Sequence, residues 1–157
     1  MKITIRNLQK KTPISSQTRR NIVRTIEKAF SLSPLRMKGL EISVCVIDDC
    51  QIRKLNKKFL KADRTTDVLA FDMTQPGRPA ADIAISAQTA ELNSRIYKTN
   101  AAYEVCLYSA HAALHLIGYD DATKKGFKEM ERIALRLLSR LKIKPSKFKC
   151  QSIKPKP

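Results

Sequence analysis

Residues 101–121 read Ala101-Ala102-Tyr103-Glu104-Val105-Cys106-Leu107-Tyr108-Ser109-Ala110-His111-Ala112-Ala113-Leu114-His115-Leu116-Ile117-Gly118-Tyr119-Asp120-Asp121. The first seventeen predict a helix, 101–117, with Glu104 as its only charged side chain in a chain that carries 31 Lys and Arg. Such a helix belongs in a core, apolar round most of its circumference. Gly118 stands where a helix takes a left-handed C-terminal residue, so the chain is expected to turn there.

Working outward, the pattern alternates between periods of two and 3.6 residues. Lys2-Ile3-Thr4-Ile5-Arg6 reads as a strand. Ser15 or Ser16 caps a helix whose apolar side is Ile22, Val23, Ile26, Ala29 and Phe30, ending before Pro34. Leu40 to Ile47 is a second strand, with Ile42, Val44 and Val46 on one face. Asp48 or Asp49 caps the next helix, whose buried side is expected to be Ile52, Leu55 and Phe59. Thr66 to Phe71 is a third strand and Asp82 to Ser86 a fourth, with Ile83 and Ile85 facing one way. Residues 74–80 form a Pro/Gly loop, residues 87–98 read as helical, and a last helix runs from about Thr123 to Leu141. Strands and helices mix without strict alternation, which places the chain in the α+β class. The expected organisation is one domain, 1–141, followed by a basic, disordered tail, 142–157, with six Lys and three Pro.

The formal net charge is +17 and the isoelectric point near 10.1. A charge of that size attracts polyanions. Nucleic acid is the expected partner. A membrane is not, because no apolar run is long enough to span a bilayer and the N-terminus has no signal-peptide core. Cys45, Cys50, Cys106 and Cys150 form no Cys-x-x-Cys pair and read as reduced, mostly buried thiols, which points to the cytoplasm, where RNA is the commonest polyanion.

The chain has two histidines, His111 and His115, four residues apart. Four residues turn a helix by about 400°, so both imidazoles leave one face, one turn apart, where two ring nitrogens can reach one metal ion. A carboxylate from Asp120 or Asp121, beyond the Gly118 turn, completes a three-ligand site with a fourth position open. The zincin peptidase motif has a Glu directly after its first histidine; here that position is Ala112, so a peptidase of that type lacks its base. A second feature is the helix carrying Arg53, Lys54, Lys57, Lys58 and Lys61, with Arg64 just beyond it, whose cationic face is a candidate for phosphate binding.

The stretch His111 to Asp121 resembles the signature His-Gly-x-Leu-His-Leu-x-Gly-Tyr-Asp-His of the YbeY family of rRNA-maturation endoribonucleases. Leu55-Asn56, Asp63, Thr66-Asp67-Val68-Leu69 and Phe71 are similar to a second block of that family, and Asp82-Ile83 with Ile85-Ser86 to a third. The likeness runs over roughly residues 1–141. It implies a mixed, mostly parallel four-stranded sheet packed with helices, with the metal site on a central helix and the following turn. It also implies one divalent metal ion, usually Zn2+, held here by His111, His115 and Asp121. The activity implied is that of a single-strand-preferring endoribonuclease in 16S rRNA 3′-end maturation and ribosome quality control, with rRNA and the ribosomal small subunit as partners. Three positions depart from the family pattern: Asp121 replaces the last histidine, Ala112 replaces glycine, and Leu60 stands where the family has an arginine.

The resulting expectation is a metal-dependent endoribonuclease with His111 as catalytic residue and an RNA groove walled by Lys57, Lys58, Lys61 and Arg64. The rival readings are a ribosome-associated RNA-binding factor with a degenerate site and, less favoured, a peptidase-like metallohydrolase.

Overall fold

A computed structural model describes residues 1–33 and 38–145. The elements are β1 (Lys2–Asn7), α1 (Ser16–Phe30), β2 (Glu41–Ile47), α2 (Asp49–Leu60), β3 (Val68–Asp72), β4 (Ala80–Ser86), α3 (Ala87–Ile96), α4 (Ala101–Leu116) and α5 (Lys124–Arg140). The strands form one four-stranded sheet in the order β1-β2-β4-β3. β1 and β4 both run parallel to β2, while β3 pairs antiparallel with β4 at one edge. The mixed, mostly parallel sheet and the α+β class expected from the sequence are both present.

Strand alternation sorts the core into two layers. Ile42 and Val44 of β2, Ile83 and Ile85 of β4, and Ile3 and Ile5 of β1 pack with the helical layer of α1, α4 and α5. On the other face Ile47, Leu69 and Ala84 pack against Ile52 of α2, with Cys45, Leu55 and Phe71 at the margin. α4 is the hub of the larger layer and touches α1, α3, α5, β3 and β4. Ala110, Ala112 and Ala113 have no exposed surface, and their small side chains let the surrounding elements approach its axis.

α2 is opened by a capping box. The Asp48 carboxylate accepts from the Gln51 N–H at 2.8 Å, and the Gln51 side chain accepts in return from the Asp48 N–H at 3.3 Å. Phe59 is not on the buried side as expected: it is 52% exposed. It lies against Phe71 of β3 with ring centroids 5.0 Å apart. β3 is an edge strand, so Phe59 has sheet beneath only part of its ring.

Packing also runs past the domain boundary expected at 141. Ile143 is buried, and its N–H donates to the Leu138 carbonyl at 2.9 Å, closing the end of α5. The remainder of the expected tail from residue 146 onward, Cys150 and Pro34 lie outside the described residues. The described cysteines are free thiols: Cys106 is buried, Cys45 half-buried and Cys50 exposed. Burial pushes the Cys106 thiol up to about 12, which makes it an inert core residue.

The one acidic group of α4, Glu104, is buried at its first turn. Its carboxyl accepts from the Thr99 hydroxyl and from Tyr108, whose own oxygen accepts from Asn93 Nδ2 at 2.8 Å. Burial raises its pKa against the lowering effect of those hydrogen bonds, with the Asp67 charge adding to the rise.

Two outcomes follow from this packing. Ile85→Ala should cost about 2–5 kcal/mol in chemical denaturation, whereas Leu92→Ala on the exposed face of α3 should stay within about 0.5 kcal/mol. Glu104 carries a proton in both folded and unfolded chains below the ordinary Glu value of about 4.3. Above it the unfolded chain ionises first, so the stability this group contributes is lost as pH rises through its folded pKa. Urea titrations of the native chain and Glu104→Gln across this range should therefore diverge in favour of the variant as pH rises.

Candidate active site

A cavity of about 570 Å³ opens among α3, α4, α5 and the loop that enters β3. α4 contributes Glu104, Tyr108, His111 and His115 to its wall, the turn after α4 contributes Asp121, and the loop contributes Thr66 and Asp67. α5 contributes Phe127, Met130, Glu131 and Leu135, and the end of α3 contributes Asn93 and Tyr97. Four carboxylates line it, those of Asp67, Glu104, Asp121 and Glu131, and no Lys or Arg does.

The turn that delivers Asp121 is built on Gly118, at φ +98°. The Gly118 N–H donates to the His115 carbonyl and the Tyr119 N–H to the Leu114 carbonyl, both at 3.0 Å, which is the Schellman pattern expected for glycine at that place. A second glycine, whose role the sequence did not reveal, holds the other side of the turn. A Cβ on Gly126, in the first turn of α5, would lie 2.3 Å from the Asp120 carbonyl oxygen. Thr123 caps α5 by accepting from the Gly126 N–H at 3.0 Å. The Asp120 carboxylate is spent locally, accepting from the Ala122 N–H at 3.0 Å, while Asp121 Oδ2 stands 3.6 Å from His115 Nε2.

His115 Nδ1 lies 3.1 Å from the Tyr119 carbonyl. A carbonyl only accepts, so Nδ1 carries the hydrogen, and the tautomer this selects is the one whose Nε2 lone pair is beside the Asp121 carboxylate. In that tautomer a lone pair and a carboxylate face each other, an arrangement that a bound cation would satisfy. Two ligands bound at about 2.0–2.2 Å to a tetrahedral zinc stand roughly 3.4 Å apart, close to the observed separation. One turn earlier, His111 Nε2 is buried and has no hydrogen-bond partner among the described residues. Burial is the main cause of a lowered His111 pKa, opposed by the charge of Asp67 and reinforced by His115. The ring is thus held in its neutral, ligating form. A buried polar nitrogen left unpaired costs about 1–3 kcal/mol, so the site fits a group that would use it. As they stand, no three His, Cys, Asp or Glu side chains among the described residues are grouped tightly enough to hold an ion. His115 and Asp121 are paired, and His111 shares their cavity.

Two acidic side chains reach the same cavity from other elements. Asp67 is oriented from the loop, its Oδ1 accepting from the Val68 N–H at 2.9 Å and the Thr66 hydroxyl at 3.1 Å. Glu131 enters from α5. Neither was identified as a site residue from sequence; Asp67 had only the resemblance of its Thr-Asp-Val-Leu block to mark it.

The expected cationic wall is altered by the loop after α2. Lys61 takes the left-handed conformation, φ 59°, and turns the chain back so that Asp63 meets Arg53 at 2.7 Å and Lys57 at 2.8 Å. Lys57 first and then Arg53 hold the Asp63 carboxyl below the usual carboxylate range. Asn56, buried beneath, donates from Nδ2 to the Arg64 carbonyl at 2.9 Å and fixes the loop. Lys58 lies over the Phe59 ring at 5.2 Å, and Lys61 Nζ donates to the Lys58 carbonyl at 3.3 Å. None of Lys57, Lys58, Lys61 and Arg64 lines the cavity, although Arg64 is two residues from Thr66, which does.

Comparison with known proteins agrees with the fold. The chain is 31% identical over 140 residues to the endoribonuclease YbeY of Elusimicrobium minutum, covering 86% of this chain and 98% of that one. It is 37% identical over 118 residues to that of Aquifex aeolicus, covering 71% and 79%. The Myxococcus xanthus relative is longer: 37% identity over 113 residues covers 68% of this chain and 38% of that protein. A solution structure from Thermotoga maritima has the same fold, with a TM-score of 0.57 at 22% identity over 89% of this chain and 91% of that one. The family model described as endoribonuclease YbeY matches residues 4–142, and the chain belongs to that family.

Proposed function

We infer that this protein is a metal-dependent endoribonuclease that cuts single-stranded RNA, acting in the cytoplasm on the 3′ end of 16S rRNA at the small ribosomal subunit and in ribosome quality control. One observation carries the metal-dependent reading: in a chain of charge +17, the cavity that holds both histidines is lined by four carboxylates and by no cationic side chain. Such a wall attracts a metal cation and leaves phosphate to the basic surface outside it.

His111 Nε2, His115 Nε2 and an Asp121 oxygen are the proposed ligands. Two imidazoles and one carboxylate are a donor set used by catalytic zinc, which makes Zn2+ the best-fitting ion. A bound divalent ion would supply positive charge at the phosphodiester and an acidified water. The Tyr119 carbonyl keeps His115 in its ligating tautomer, and the Gly118 turn keeps Asp121 beside it. Carboxylates of Asp67 and Glu131 line the same cavity, where either can accept a proton leaving the attacking water. Lys58, Lys61 and Arg64, which Asp63 does not neutralise, are the proposed phosphate contacts on α2 and its loop.

The second reading, RNA binding without cleavage, is favoured by Leu60, which is 59% exposed where the family carries an arginine. A cleavage assay on labelled single-stranded RNA, with and without chelator and with His111→Ala in parallel, separates the two. Chelator-sensitive cleavage absent from the variant is the expected result; binding without cleavage by metal-loaded protein favours the second reading.

Metal analysis gives an independent check. Asp121→Ala should lower bound zinc, Asp120→Ala should leave it nearly unchanged, and Asp121→His should retain or strengthen it. Equal metal affinity in Asp121→Ala and the native chain removes Asp121 from the ligand set. Replacing Lys58, Lys61 and Arg64 together by Gln should lower the slope of log affinity against log salt by about 2, at roughly 0.7 per single-strand phosphate contact, without changing metal content.

A further inference from the structure

α5 carries a second basic row, separate from that of α2. Lys124, Lys128, Arg132, Arg136 and Arg140 recur every four residues, all exposed, and none is in an ion pair among the described residues. Four residues advance a helix by about 6 Å and rotate it by about 40° beyond a full turn. Lys124, Lys128 and Arg132 therefore share one side of α5 within roughly 80°, and Arg136 and Arg140 wind on round it. The neighbouring four-residue row, roughly 60° away, is Phe127, Glu131 and Leu135, and all three line the cavity. The cationic row thus borders the cavity along α5, starting three residues after Asp121.

Exposed aromatic rings concentrate on the same rim. Among the described residues three aromatic side chains are more than half exposed: Phe59, Tyr97 and Phe127. Two of them, Tyr97 at 66% and Phe127 at 51%, line the cavity, Tyr97 from the end of α3 and Phe127 from the first turn of α5. Isolated apolar side chains on a surface need no explanation. Two aromatic rings on the rim of one cavity, beside unneutralised cations six ångströms or so apart along a helix, have the composition of a single-strand platform, in which backbone phosphates follow cations and unpaired bases lie on ring faces.

We propose that α5 is the rail along which single-stranded RNA reaches the site, with Lys124, Lys128 and Arg132 contacting successive phosphates and Phe127 and Tyr97 stacking the bases at the cavity rim. The inference rests on the nuclease reading and adds a source for its strand preference. A base paired in a duplex has its faces covered by its neighbours and cannot lie on either ring. Glu131, the acidic member of the inner row, disfavours phosphate there and keeps the backbone on the outer one.

The test is fluorescence anisotropy with metal-loaded full-length protein and a labelled 2′-O-methyl RNA dodecamer, which resists cleavage. Phe127→Leu with Tyr97→Leu keeps apolar bulk but removes the ring faces, and circular dichroism checks that the fold is unchanged. Loss of two stacks, at about 1 kcal/mol or more each, should weaken binding by about thirtyfold or more. On a strand of the same length made of abasic residues, native and variant chains should bind equally. Lys124, Lys128 and Arg132 replaced by Gln should lower the salt slope by about 2 on both strands. A double Leu variant that binds the normal strand as the native chain does, or a triple Gln variant with an unchanged slope, overturns the proposal while leaving the nuclease reading standing. A native chain with no measurable affinity for the RNA overturns both.

Discussion

A helix enclosed along most of its length can present polar groups in few places, and α4 presents its imidazoles near its C-terminal end. Upstream, small residues and aliphatics fill the space among α1, α3, α5 and the sheet. The enclosure gives the two histidines different surroundings. His111 is deep enough for desolvation to keep it neutral. His115, a turn later, is at the mouth and takes its orientation from the Tyr119 carbonyl. An imidazole that ligates a metal must be neutral and aimed. Here burial favours the first property for His111, and the Tyr119 carbonyl supplies the second for His115.

The carboxylate partner depends on two glycines for different reasons. Gly118 adopts a backbone conformation that other residues reach only with strain. Gly126 is helical, where glycine costs up to about 1 kcal/mol against alanine, yet any side chain would strike the Asp120 carbonyl. Between them the turn is pinned to the end of one helix and the start of the next. Its two adjacent acids then take separate tasks: Asp120 satisfies the backbone of the turn, and Asp121 faces His115.

Much of this was legible in the sequence because it is local. Period-two alternation marked β1, β2 and β4, charge exclusion marked α4, and the glycine after its last turn marked the bend. The Asp120 or Asp121 ambiguity was beyond local reading, because the choice depends on how α5 docks under the turn. Asp67 and Glu131 join the cavity from elements 44 and 20 residues away from His111, distances at which spacing carries no information. The cationic face of α2 was overestimated for a similar reason. Arg53 and Lys57 were counted as free charges, and only the left-handed turn at Lys61 brings Asp63 back onto them. Phe59 followed the helical period correctly but met the edge of the sheet instead of its middle.

Charge segregation connects the fold to its proposed chemistry. A uniformly basic surface would draw phosphate into any opening, including one meant for a cation, and an ammonium group lining the cavity would compete with the metal for the same carboxylates. The chain avoids this by topology. The cavity wall comes chiefly from α4, which carries no Lys or Arg, with the loop into β3, the turn after α4, the end of α3 and the inner row of α5 supplying no Lys or Arg either, while the cations of α5 begin one row further round. Coulomb attraction between a divalent ion and several carboxylates strengthens in a partly desolvated cleft, whereas phosphates held on exposed cations remain screened and salt-sensitive. On the proposed reading, RNA would follow the exposed cations on weak, exchangeable contacts and the ion would sit inside among the carboxylates. Reversing the two locations would leave the cavity without the acidic lining that favours a cation.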